Sequence, residues 1–151
     1  MTRARTILVL LTTLGVLALG FATASIAAGT PAARFKIIVH PRNPAAWIDK
    51  AFLRNAYLRK EIEWQDGTAI LPVDLGAKIA TRELFIHDVL KKTPAQLKSY
   101  WNQRIFSGKG APPPAAEASA AAIAYVLANP GSVGYLPAEL DPGGAKVIEV
   151  R

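Results

Sequence analysis

His40 and His87 are the side chains best suited to proton transfer or metal ligation in this 151-residue chain. Neither has a second histidine three or four positions away, the spacing that sets two imidazoles on one helical face, so no metal site is expected. The absence of cysteine excludes thiolate ligation, a cysteine nucleophile and a disulfide scaffold. Glu61 and Glu63 alternate along an extended segment and could be a carboxylate pair of the kind used in glycoside hydrolysis. Beside a turn, however, such acids are expected to be solvated. Ser107-Gly108-Lys109-Gly110 is too short for a phosphate-cradling P-loop, which needs G-x-x-x-x-G-K-[ST] ahead of a helix, and it reads as a turn. Serine acyl chemistry lacks its G-x-S-x-G and S-x-x-K signatures. Trp47, Trp64 and Trp101 could line a ligand platform, but in so small a domain they are expected to supply core area. The chain therefore reads as non-enzymatic, with no catalytic residue, metal or cofactor.

The elements that would position these residues follow from hydrophobic periodicity. Residues 35–40 are nearly all apolar and β-branched and stop at Pro41, as in a central strand covered on both faces. Asp49 is a natural N-cap for a helix to about Leu58, with Leu53, Ala56 and Tyr57 on one face. Residues 61–64 and 69–73 flank Asp66-Gly67 and predict strand, turn and strand. From Ile79 to Leu90 the period becomes helical: Phe85, Ile86, Val89 and Leu90 form an apolar stripe, and Glu83, His87 and Lys91 a polar face. Thr93-Pro94-Ala95-Gln96 has the form of a capping box with proline at N1, and the helix it opens should bury Leu97, Tyr100, Trp101 and Ile105. A loop over 107–114 leads to an alanine-rich helix over 115–127, stopped by Asn129-Pro130-Gly131. Residues 132–136 and 146–150 predict the last two strands. The order β-α-β-β-α-α-α-β-β indicates one small α/β domain, a mixed sheet flanked by helices.

At the N-terminus, Arg3 and Arg5 precede an apolar run over 7–19 and small residues at Ala22, Ala24, Ala27 and Ala28. This is the pattern of a secretory signal peptide over residues 1–28, with cleavage after Ala24 or Ala28 and a domain over 29–151. An uncleaved inner-membrane anchor is the alternative, although a spanning helix needs roughly 20 apolar residues. Localisation is accordingly expected to be periplasmic or secreted, with any membrane attachment made through that segment alone. Loss of the two arginines lowers the formal net charge from +7 to +5. The remaining basic residues are scattered and mixed with acids, without the aromatic interleaving of a nucleic-acid surface, so no nucleic-acid partner is expected.

Three segments, in order, carry a family resemblance. Residues 56–66, AYLRKEIEWQD, are similar to the "IFLGKITKWDD" stretch of periplasmic phosphate-binding proteins, the receptors of phosphate ABC importers. Val73, Thr81 and Phe85 keep the V-x7-T-x3-F spacing of that family's anion loop, and residues 130–136 resemble its "PGSIGYVE" strand. Residues 106–113 also agree with the "FSGxGxPP" segment of short exported proteins in the same wider group.

The resemblance implies one lobe of a type 2 periplasmic binding protein, since the receptors hold phosphate between two lobes and this chain matches only the second. Their loop presents arginine, serine, glycine and threonine to the anion. The corresponding positions here are Leu75, Ile79, Ala80 and Thr81, so only the threonine is kept. Loss of the arginine removes the bidentate partner best matched to phosphate. Gly76, Lys78, Thr81 and Arg82 would form a substitute ligand-binding set at the helix start. Arg59 stands where the family has glycine, and the helix is expected to end differently there. Two roles follow from the resemblance. One is a solute- or anion-binding-like protein with a degenerate phosphate loop, taking phosphate or another small oxyanion weakly, with a second copy or a partner protein supplying the missing lobe. The other is an envelope interaction module that has lost ligand binding.

Overall fold

The protein is described by a computed structural model covering residues 34–151; the expected signal peptide over 1–28 lies outside the described residues. No described helix is long and apolar enough to cross a membrane.

The sheet is built around the predicted first strand. Phe35–Val39 (β1) lies between Ser132–Pro137 (β6) and Lys146–Val150 (β7), antiparallel to both. Trp47–Ile48 (β2) adds in parallel to β7, and Leu71–Pro72 (β3) in parallel to β6, giving the order β2-β7-β1-β6-β3. Asp74–Leu75 (β4) and Ala115–Ala116 (β5) form a separate parallel pair. Ile37, Ile38 and Val39 are all buried, because helices cover both faces.

Lys50–Tyr57 (α1) and Ala80–Phe85 (α2) lie on one face, where Tyr57 and Phe85 meet Tyr135 of β6. Ser119–Ala128 (α4) covers the other, where a Cβ at Gly134 would come within 3.1–3.4 Å of Val73, Val126 and Ile38. Pro94–Phe106 (α3) leans on the end of α1 through a hydrogen bond from the Tyr100 hydroxyl to the Leu58 carbonyl, 2.7 Å.

Local signals placed several boundaries correctly. The Asp49 carboxylate accepts from Ala51 N and Phe52 N at 2.7 and 3.0 Å, and Leu53, Ala56 and Tyr57 are the buried residues of α1. Thr93 and Gln96 form the reciprocal capping box, with Pro94 at N1. The apolar stripe after Ala80 is buried as predicted, but it continues beyond Phe85 as a π-helical turn, Ile86–Leu90.

Four expectations are corrected. Residues 61–64 and 69–73 pair around the Gly67 turn only at one antiparallel bridge, Glu63 to Ala69. Trp64 N bonds to the Thr68 carbonyl and Ile70 N to the Ile62 carbonyl, and neither segment extends as a strand of the predicted length. Leu71 N and Val73 N bond instead to the carbonyls of Gly131 and Val133, so the stronger sheet partner captures this segment. Gly131 permits that approach: a Cβ there would lie 2.4 Å from the Ala69 carbonyl oxygen. The alanine-rich helix begins at Ser119, not Ala115, because Pro114 and Ala116 carbonyls accept from Asp74 N and Gly76 N and hold this stretch extended. Ile105 is 51 % exposed, since the last turn of α3 outruns the core that buries Leu97 and Trp101. Finally, Trp47 is 48 % exposed and does not supply core area.

Arg59 provides a further correction. The helix ends as a glycine-terminated helix would, with Arg59 itself at φ 56°. An L-residue in that region carries a steric cost of about 1–2 kcal/mol, partly offset by the greater unfolded-chain entropy of glycine. Arg59→Gly is therefore expected to stabilise the protein by about 0.5–1 kcal/mol, read as a raised urea midpoint at unchanged slope. No gain would mean that the Arg59 side chain compensates for its backbone.

Candidate functional site

The segment of residues 76–82, the connection after β4 and the first turn of α2, lies at the end of the sheet toward which β3 and β6 both run. It gathers all four predicted ligand residues, but in unequal states. Lys78 is exposed, Thr81 is buried, Gly76 is buried, and Arg82 is turned inward. The Arg82 guanidinium places Nε at 3.0 Å and a terminal nitrogen at 2.9 Å from Oδ2 of Asp74. Their side chains are only 24 % and 15 % exposed.

The other Asp74 oxygen is also engaged. Oδ1 accepts from the Leu75 N–H at 2.9 Å and from the Tyr135 hydroxyl. Tyr57 sits behind, donating its hydroxyl to the Val73 carbonyl at 2.9 Å. Burial pushes the Tyr135 phenol far above its ordinary value, and the Asp74 carboxylate pushes it further. Burial raises Tyr57 in the same way, with Tyr135 and Asp74 adding to it. Tyr135 therefore remains a proton donor to Asp74 throughout the physiological range.

Gly76 is likewise occupied. Its N–H donates to the Ala116 carbonyl at 2.8 Å, and a Cβ at this position would lie 3.0 Å from Oε2 of Glu117. A carboxylate thus stands against the backbone that an anion loop would present, and Leu75, where the family has arginine, is fully buried. The arrangement is a closed network of anion, cation and phenol. Its unassigned members, Asp74 and Tyr135, come from separate segments, and Glu117 stands beside Gly76 from a third. The one local hint in the sequence is an acid eight residues before Arg82.

The remaining candidates fall outside this loop. His40, at the end of β1, accepts on Nδ1 from Arg42 N at 3.1 Å, a turn contact. His87 is exposed and pairs with Asp88 at 3.0 Å, holding that carboxyl below its usual range. Glu61 and Glu63 are exposed, as is the 107–110 turn. Among the described residues no group of three or more His, Asp or Glu side chains is placed to hold a metal ion.

Comparison with solved structures decides the fold. A phosphate ABC transporter substrate-binding protein with bound phosphate, from Clostridium perfringens, superposes with TM-score 0.59 at 16 % identity, over 77 % of this chain and 44 % of its own. The chain has the fold of one lobe of a periplasmic phosphate-binding protein. A phosphate transport receptor from Vibrio cholerae gives TM-score 0.58 at 16 % identity, over 77 % and 45 % of the two chains. PstS from Borrelia burgdorferi gives 0.58 at 11 % identity, over 78 % and 47 %. The receptor-lobe fold here thus spans less than half the length of these neighbours. No protein-family model matches the chain, and no curated protein sequence matches it.

Proposed function

We propose that this chain is an exported, non-catalytic module that uses the receptor-lobe fold for contacts with a partner protein and does not capture free phosphate. The observation that carries this reading is the Asp74–Arg82 pair. Asp74 supplies from within the chain the oxyanion that Arg82 would otherwise take from solution. A phosphate entering the loop would have to displace a hydrogen-bonded carboxylate and approach the Glu117 carboxylate.

A partner surface is supported at the end of α3. Phe106 is 90 % exposed and Ile105 half-exposed, with Arg104 and Lys109 beside them. Residual affinity for an oxyanion, with a second copy or a partner supplying the missing wall, is the alternative. Lys78 at the loop, exposed and without an ion-pair partner among the described residues, favours it.

Calorimetric titration with phosphate and with sulfate at physiological salt tests the choice. Exposed cations contribute only about 0–1 kcal/mol each, whereas a micromolar dissociation constant requires about −8 kcal/mol. The expected result is no binding tighter than about 1 mM. A dissociation constant near 1 μM, weakened by Thr81→Ala or Arg82→Ala, would overturn the reading and restore a receptor.

A further inference from the structure

At the end of the sheet away from the 76–82 loop, the chain leaving β1 and the turn at Trp64 enclose a groove of about 530 Å³. Its size falls within the range of about 300–1,000 Å³ typical of small-molecule sites. We propose that this groove binds a small organic cation, a quaternary ammonium bearing a hydroxyl or carbonyl oxygen, through Trp47, Phe52, Trp64, Asn43, Asp49 and Asp66.

The aromatic walls are fixed in place. Trp64 donates its indole N–H to the Gly131 carbonyl at 2.8 Å, and the Phe52 ring lies 5.8 Å from it at 38°. Trp47 forms a further part of the lining while staying 48 % exposed, which leaves a large aromatic surface in water. The ring faces of tryptophan and phenylalanine carry negative potential and attract cations, tryptophan most strongly. Trp47 already engages one such group, since the Arg151 guanidinium carbon lies 5.1 Å from its ring centre. Glu149 balances that guanidinium at 3.2 Å.

Charge selects the ligand's sign. The chain as a whole is basic, at formal net charge +7, yet the described residues that line the groove include Asp49 and Asp66 and no lysine, arginine or histidine. Each carboxylate spends one oxygen on backbone N–H groups, Asp49 on Ala51 and Phe52 and Asp66 on Thr68. The Thr68 hydrogen bonds also lower the Asp66 pKa, so its charge persists at neutral pH.

Asn43 selects for an oxygen on the ligand. It is 92 % buried, and its side-chain oxygen accepts from Ala45 N at 2.9 Å. Its backbone is also satisfied, the N–H by His40 and the carbonyl by Lys146. The amide nitrogen has no acceptor among the described residues, so its two N–H groups are free to meet a ligand oxygen where Asn43 lines the groove.

Titration of the full chain with choline, and with its neutral carbon isostere 3,3-dimethylbutan-1-ol, tests this proposal. Choline is expected to bind with a dissociation constant below about 10 mM, and the neutral alcohol about tenfold more weakly. Trp47→Ala, at a half-exposed position, should weaken choline at least about fivefold without moving the urea midpoint, and Asp66→Asn should weaken choline but not the alcohol. No heat with choline at about 10 mM, or equal affinity for the two ligands, would overturn the assignment. Phosphate titration addresses the other end of the sheet, so either proposal can fail alone.

Discussion

Phe85→Ala is expected to destabilise the protein by about 4 kcal/mol, toward the upper part of the range of about 3–5 kcal/mol for truncating a buried aromatic ring. Phe85 has no exposed surface and stacks on Tyr135 at 3.9 Å between ring centres, with the planes 3° apart. Tyr57 and Phe35 close the cluster at 4.7 and 5.5 Å. The cost of a cavity depends on how far its walls can relax. Here they are held: the Tyr57 hydroxyl is tied to the Val73 carbonyl and the Tyr135 hydroxyl to Asp74. Neither ring can slide into the hole without abandoning a buried hydrogen bond. For a domain of ordinary stability, about 5–15 kcal/mol, this loss leaves little margin, and urea unfolding would show it as a large fall in the midpoint. A loss below about 1.5 kcal/mol would mean that the cluster collapses freely.

Asp74→Ala should have a comparable effect by a different route. Removing one member of a mostly buried ion pair costs about 3–5 kcal/mol, largely because the partner is left charged and unpaired. Three donors would lose their acceptor together: the Arg82 guanidinium, the Tyr135 hydroxyl and the Leu75 N–H. Asp74→Asn separates these contributions, since its carbonyl can still accept from Tyr135 and Leu75. It should cost about half as much, as the difference between a neutral and a charge-assisted hydrogen bond. Equal losses in the two variants would assign the whole effect to the guanidinium. A negligible loss in both would show that solvent substitutes readily for the carboxylate, and the loop would then be open to external anions.

Much of the scaffold was legible wherever a boundary is set by local chemistry. The Asp49 cap, the Thr93–Gln96 box and the end of β1 before Pro41 each depend on contacts within a few residues. Errors arose where a distant segment made the decision. Residues 69–73 had adequate hairpin character, but β6 offered a buried partner; Ala115 and Ala116 had high helix propensity, but β4 drew them into a ladder. Ile105 had the right helical phase for burial, yet phase reveals nothing of how far the covering surface extends. The loop over 76–82 was located from the spacing of Val73, Thr81 and Phe85, whereas its electrostatic state was not. Tyr135 and Glu117 meet it only after the chain has folded; Asp74 and Tyr135 turn an apparent anion site into a satisfied network, and Glu117 stands against Gly76.

The strand order has a consequence for how this fold is reached in time. β1 lies near the start of the described chain, yet both of its neighbours, β6 and β7, come from the last twenty residues. Side-chain links across the same gap, such as Lys146 Nζ to the Asn43 carbonyl, join residues 103 positions apart. Closing such loops costs chain entropy before any sheet contact compensates for it, and topologies dominated by such pairings fold in about milliseconds to seconds, not microseconds. During synthesis, β1 would wait without either neighbour until residues 132–150 had emerged. The central strand is the earliest of the described strands to be made and among the last to be secured, so the sheet cannot close around it before β6 and β7 exist.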